Sequence, residues 1–288
     1  MVTNYELKLK ARAALKDNWQ IALMVALIAS LPSLASQVVA IMTQSSLTVM
    51  VNNLTNAMLQ SPDVTDIVAL MEQAGITIEK CMPSVLLGVF SALISPFLAL
   101  GMLHYFFKLL RGEEDALIGT VFSRKNCFFK AIGLRLMVYI RIMLWMLPGW
   151  ALMIIPFALI AVSPEMALNV LPMVMFISTS LMMVLGIRAA LHYAMADRVM
   201  AETPSKGINQ CIRESVGIMR YRKLLLFSLE ISFILWQVGL MLLETLLMGI
   251  IGQVMASTLS MALNFALNIY IQMAVSAFYL AYRQQTEI

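Results

Sequence analysis

Residues 19–43 read WQIALMVALIASLPSLASQVVAIMT, 25 positions without one charged side chain. At about 1.5 Å per residue, a helix of that length exceeds the ~30 Å hydrocarbon layer of a bilayer. Just before it, Lys8, Arg12 and Lys16 recur every four residues, with Leu7, Ala11, Ala14 and Leu15 on another side. Thr3-Asn4-Tyr5-Glu6 has capping-box spacing, so residues 3–17 are expected as a basic amphipathic helix on the inner membrane surface. A rival reading is a secretory leader cut near Ser33-Leu34-Ala35. The basic segment is long and itself helical, and the apolar run continues past that cut, which argues for a retained span.

The same pattern repeats along the chain. Further apolar spans are expected at 84–107, 134–162, 169–193, 224–250 and 259–282. Of the 20 Lys and Arg residues, all but Lys80 fall on one side of these six runs. Cytoplasmic loops of membrane proteins carry the excess of Lys and Arg. The expected fold is therefore all-α, a polytopic bundle of six transmembrane helices with interfacial amphipathic helices and both termini inside. Residues 108–133 and 194–223 are the cytoplasmic loops, and 44–83 is the one sizeable external loop. Within that loop Ser61-Pro62-Asp63 starts a short helix that Gly75 ends. Pro148-Gly149 and Pro156 are expected to kink or break the third span, and residues 252–258 to form an uncharged outer turn. Pro204 precedes an amphipathic helix over 208–219.

Composition agrees with a membrane class. Hydrophobic residues are 61% and charged residues 12% of 288, against roughly 45–50% and 25% in soluble domains. Mean hydropathy is +0.84, too apolar for a water-covered surface. The net charge of +4 would suggest nucleic acid in a soluble protein; here basic loops facing anionic headgroups account for it, and no nucleic-acid partner is expected. Cys81 lies outside while Cys127 and Cys211 lie inside, so no intramolecular disulfide is available.

Three times a basic segment and an aromatic or polar edge precede an apolar span: Asn18-Trp19-Gln20, Asn126-Cys127-Phe128 and Tyr221-Arg222-Lys223. Three return spans end in His104-Tyr105, His192-Tyr193 and Phe278-Tyr279. This reads as three helical hairpins entering from the same side, related about the membrane normal. The plainer reading is that any hairpin carries basic and aromatic residues at its inner edge.

A more specific pattern stands at 195–236: Met195-Ala196, Ala201-Glu202-Thr203-Pro204, Arg213-Glu214-Ser215, Met219, Lys223, Phe227, Leu229-Glu230, Ser232-Phe233-Ile234 and Trp236. In that order the block closely resembles the "domain of unknown function 975" family of bacterial integral membrane proteins. Leu7-Lys8, Ala11-Arg12, Leu15-Lys16 and Asn18-Trp19 resemble that family's opening, as do Leu144-Trp145 through Ile154-Ile155-Pro156 and Ala277-Phe278-Tyr279 farther on. The chain departs from the pattern in a longer 44–83 segment and in Phe157, where a glycine is expected. The resemblance implies a multi-pass protein of the bacterial plasma membrane and supplies no catalytic residues.

Charges that cannot leave the spans are the candidates for function. Arg135, Arg141 and Arg188 can snorkel to the inner edge, because 142–162 and 169–187 span without them. With His104 and His192 they are candidate contacts for anionic lipid headgroups, or simply a ring of snorkelling residues. Glu230 and Glu244 are separated by 13 residues (231–243), about 20 Å of helix, so at least one enters the hydrocarbon or its boundary. An intramembrane carboxylate serves as proton relay, cation ligand or substrate contact, or is held by Arg188, Arg141 or a helix end for packing alone. No HExxH, GxSxG, P-loop or GxGxxG occurs, and the two histidines lie in separate segments. The expectation is a non-enzymatic lipid- or envelope-associated protein without cofactor or metal; the alternatives are a small secondary transporter using an intramembrane Glu and, more remotely, an intramembrane enzyme.

Overall fold

The computed structural model describes residues 3–36, 78–113, 116–162 and 164–283. The short helix expected within 44–77 lies outside them. Among the described residues every regular element is helical. Six helices are long and apolar enough to cross a membrane: Trp19–Ser36, Val85–Arg111, Ile118–Ile155, Asn169–Glu202, Lys223–Ile251 and Met255–Arg283.

Helix α1 (Asn4–Lys16) starts at a complete capping box: Thr3 Oγ1 accepts from the Glu6 amide at 3.3 Å, and Glu6 Oε2 accepts from the Thr3 amide at 3.2 Å. These bonds satisfy amides that the first turn leaves without partners. Its narrow apolar stripe, Leu7, Ala11 and Leu15, is buried, and protein rather than lipid covers it. Lys8 Nζ sits 4.5 Å from the centroid of the Phe233 ring, Tyr270 Oη donates to the Lys8 carbonyl at 3.2 Å, and Asn4 Nδ2 donates to Ser228 Oγ at 2.7 Å. Burial pushes the Lys8 ammonium pKa down.

Helix α2 (Trp19–Ser36) follows after a two-residue turn. Helix α3 (Ile78–Arg111) begins at Ile78 rather than 84, so 78–83 are helical instead of loop. Two 3-10 turns, Ile118–Phe122 and Lys125–Cys127, then fold back along α3. The first touches Gly101 so closely that a Cβ there would lie 1.9 Å from the Val121 carbonyl oxygen. Only glycine leaves room for that backbone-to-backbone approach.

Helix α4 (Phe128–Val162) passes through Pro148 and Pro156 without ending, contrary to the expected break. Its neighbour α5 (Pro164–Tyr193) is tied to it beside Pro148: Ser178 Oγ, fully buried, donates to the Gly149 carbonyl at 2.6 Å. Helix α6 (Ala196–Glu202) corrects another expectation. Residues 196–202 are not a solvated loop but a buried helix, with Ala196, Arg198, Val199, Met200 and Ala201 all inside. Helix α7 (Ile208–Met219) has the expected bounds and packs Cys211, Ile212, Ser215, Ile218 and Met219 inward.

Helices α8 (Lys223–Ile251) and α9 (Gln253–Arg283) form a hairpin that turns on Gly252 alone, in a left-handed conformation at φ +82°. The turn expected over 252–258 is thus one residue long. Glycine reaches that φ without steric cost.

The buried core gathers at one end of the molecule. It takes the buried stripe of α1, the first half of α2, the last turns of α3, Val121, the first turns of α4, α6, α7, the first third of α8 and the last half of α9, with Leu191 and Tyr193 at the end of α5 packed against it. In α8 only Leu226, Leu229 and Phe233 are buried. Farther along, Trp236 is 66% and Met241 69% exposed, which water would not tolerate and hydrocarbon does. The helix-terminal Lys and Arg residues lie at the packed end, called here the basic end. Tyr105 and Tyr279, from the expected repeat, are buried there; Tyr193 is half-buried.

Candidate functional site

Helix α8 has 29 residues and is about 43 Å long, some 13 Å more than the ~30 Å hydrocarbon layer. Glu230 and Glu244 lie seven residues from its two ends, Lys223 and Ile251, or about 10 Å along the axis. Centred in the layer, both carboxylates would enter the hydrocarbon by only about 4 Å. Glu230 is exposed and within electrostatic reach of Arg198, not of the Arg188 or Arg141 named from sequence. Glu244 is half-buried and accepts from the buried Ser260 Oγ at 2.6 Å; Asn264 Nδ2 donates to the Ser260 carbonyl at 3.0 Å. This chain of bonds ties α8 to α9.

Three charged residues of α6 organise the basic end. The Glu202 carboxylate is held by Arg111 from the last turn of α3, by Arg283 from the last turn of α9, and by Tyr279 Oη at 2.7 Å. Asp197 pairs with Arg135 at 2.9 Å. Arg198 is buried; its guanidinium donates to Gln272 Oε1 at 2.8 Å and to the Ala194 carbonyl at 3.0 Å. Sequence reasoning missed these residues because three charges in seven positions read as a solvated loop. The signal that was present is the small and apolar set Met195 and Ala196 before them and Val199, Met200 and Ala201 between them.

The five residues named as headgroup contacts, three arginines and two histidines, do not form one pocket. His104 Nδ1 lies 3.0 Å from Arg124 Nη2 beside the 3-10 turns. Arg135 is taken up by Asp197, and Arg141 reaches Asn209 Oδ1 only at 3.4 Å. Arg188 and His192 do come together, one turn apart on α5, around a residue of α4. The Arg188 guanidinium carbon sits 5.8 Å from the Trp145 ring centroid, and the His192 ring stacks on Trp145 at 6.0 Å and 28°.

The structure adds Lys223, from the first residue of α8: its Nζ is 3.0 Å from His192 Nε2. Nδ1 of His192 points to the Arg188 carbonyl at 3.4 Å. An ammonium can only donate, so Nε2 accepts and Nδ1 carries the proton, leaving a neutral imidazole between two fixed cations. Among the described residues, no ion pair involves Arg188, His192 or Lys223. Arg188 is exposed and the other three side chains are half-buried, so the group is accessible. Two cations without a counter-ion, one a forked guanidinium, beside an aromatic ring suit an oxyanion at a membrane edge.

Among the described residues no group of three or more His, Cys, Asp and Glu side chains is placed to hold a metal ion. The Cys127 and Cys211 thiols are free and buried. A family model described as "Protein of unknown function (DUF975)" matches residues 1–286. No curated protein and no solved structure matches the chain.

Proposed function

From the premise that the chain belongs to the DUF975 family, a family with no assigned activity, we propose that it is a non-enzymatic, lipid-associated protein of the bacterial plasma membrane. The basic end faces the cytoplasm in this reading, supported by all but one of its 20 Lys and Arg residues lying on that side of the spans. Its ligand is the headgroup of an anionic phospholipid, bound by Arg188 and Lys223 beside Trp145, with His192 positioning the Lys223 ammonium. The observation that carries this reading is a pair of cations, Lys223 3.0 Å from the His192 imidazole and Arg188 over the Trp145 indole, that meets no carboxylate among the described residues.

The test is native mass spectrometry of the detergent-purified protein titrated with phosphatidylglycerol and phosphatidylcholine. Saturable binding of the anionic lipid, weakened at least tenfold by Arg188→Ala with Lys223→Ala, supports the reading. Equal binding of both lipids, or no loss in the double variant, removes it. A second reading, a small secondary transporter, draws on Glu230, whose exposed carboxylate stands near the buried Arg198 guanidinium. Glu230→Gln losing transport while Glu230→Leu and Gln variants fold alike would favour it; cysteine accessibility along 224–250 would reveal the water path it requires.

A further inference from the structure

We infer that the basic end carries a second anion site: a cleft of about 820 Å³ where α1, α3, α6 and α9 meet, which takes an amphiphile with a net-anionic phosphate head in competition with Glu202. It shares no residue with the Arg188–Lys223 group and does not depend on it. Lys10, Arg111 and Arg283 line the cleft against one carboxylate, Glu202, an excess of two positive charges (3 − 1). Leu109, Leu110 and Leu280, with alanines of α1 and α9, form an apolar wall beside these charges. That combination, in a cavity within the usual range of roughly 300–1,000 Å³ for small-molecule sites, selects a ligand with an anionic head and an apolar tail.

Glu202 is the built-in competitor. Its side chain is 10% exposed and already engages Arg111, Arg283 and Tyr279, whereas the Arg111 side chain is 44% exposed. A guanidinium has five N–H donors, so Arg111 can turn part of its fork to an incoming phosphate while the rest stays on Glu202. Lys10 is exposed and meets no carboxylate among the described residues. It is free to complete the oxyanion's shell from the α1 side. Removing the Glu202 charge removes the competitor and leaves the cations in place, so the anion then binds more tightly.

The experiment is isothermal titration calorimetry of the detergent-purified protein carrying Arg188→Ala and Lys223→Ala, which deletes the other proposed site. The probes are dihexanoyl phosphatidic acid, dihexanoyl phosphatidylcholine and inorganic phosphate. The first is expected to bind, the second not. Inorganic phosphate binding as well as phosphatidic acid would overturn the amphiphile and assign the cleft to free anions. Adding Lys10→Ala is expected to weaken binding at least fivefold without changing the melting temperature, because Lys10 is exposed and forms no ion pair among the described residues. Glu202→Gln is expected to tighten it at least fivefold. Unchanged affinity in the Lys10 variant overturns the site; should Glu202→Gln fail to fold, the Lys10 comparison decides alone.

Discussion

Gly101→Ala is the sharpest probe of how the basic end is built. The new methyl carbon would lie 1.9 Å from Val121 O, 2.6 Å from its C and 2.8 Å from its Cα. All three are backbone atoms, so no side-chain rotation relieves the contact. Side-chain Cβ atoms essentially never approach closer than 3.0 Å, so the Ile118–Phe122 turn must retreat by at least 1.1 Å (3.0 − 1.9). The retreat unseats Val121, which is fully buried, and drags on Arg124, which caps His104 at 3.0 Å. Overpacking of this kind costs about 1–3 kcal/mol, and the rigid backbone places it near the upper end. Better helix propensity returns about 1 kcal/mol. The net loss is about 1–2 kcal/mol, or roughly 2–8 °C at ~2–4 °C per kcal/mol. Melting can be followed with a thiol-reactive dye at fixed scan rate, since Cys127 and Cys211 are buried until the fold opens. Gly88→Ala in the same helix is the control: nothing lies within 4 Å of its Cβ, and it should melt at or above the wild-type temperature. Gly101→Ala melting no lower than wild type, or Gly88→Ala falling as far, would refute the close approach of the turn to α3.

Further outcomes follow from other buried groups. Arg198→Met strips Gln272 Oε1 of its donor and is expected to destabilise by about 2–4 kcal/mol; adding Gln272→Leu should restore at least half, and strict additivity would show that the two do not act as a pair. Ser178→Ala removes a 2.6 Å interhelical bond but should lower stability by only about 0.6 kcal/mol, so a melting shift above ~5 °C would mean that α4 and α5 depend on it far more than membrane hydrogen bonds usually allow. Burial first and the Glu214 carboxylate second push the Cys211 thiol up. The folded protein therefore holds that proton more tightly than the unfolded chain: the stabilisation is full below the ordinary thiol pKa and is lost as pH climbs through the raised one. The melting temperature should accordingly fall more steeply with pH above the ordinary thiol range than that of a Cys211→Ser variant; parallel pH dependence in the two would contradict this.

What was legible in the sequence is what depends on neighbouring residues alone. Charge-free runs announced the membrane-crossing helices, Thr3 with Glu6 announced the start of α1, and Pro204 followed by an amphipathic run announced α7. Pairings across the fold were not legible. Asp197, Arg198 and Glu202 are satisfied by Arg135, Gln272, Arg111 and Arg283, from 62 to 91 positions away, and read locally they look like a loop. A separation of 31 positions likewise hid Lys223 from His192. The family resemblance nonetheless pointed to this region. Of the residues that carry the resemblance, Met195, Ala196, Ala201, Ser215, Met219, Leu229 and Phe233 are buried, whereas Arg213, Glu230, Ile234 and Trp236 are exposed.

The crowding of the core at the basic end has a mechanical corollary. The α8–α9 hairpin is gripped along less than half its length, and past Phe233 the flanks of α8 answer to acyl chains instead of neighbouring helices. Such an arm can lean. A thicker or thinner bilayer is met by swinging the far tip about its anchored root, at a cost of fractions of a kcal/mol per Å, while the charged joints stay closed.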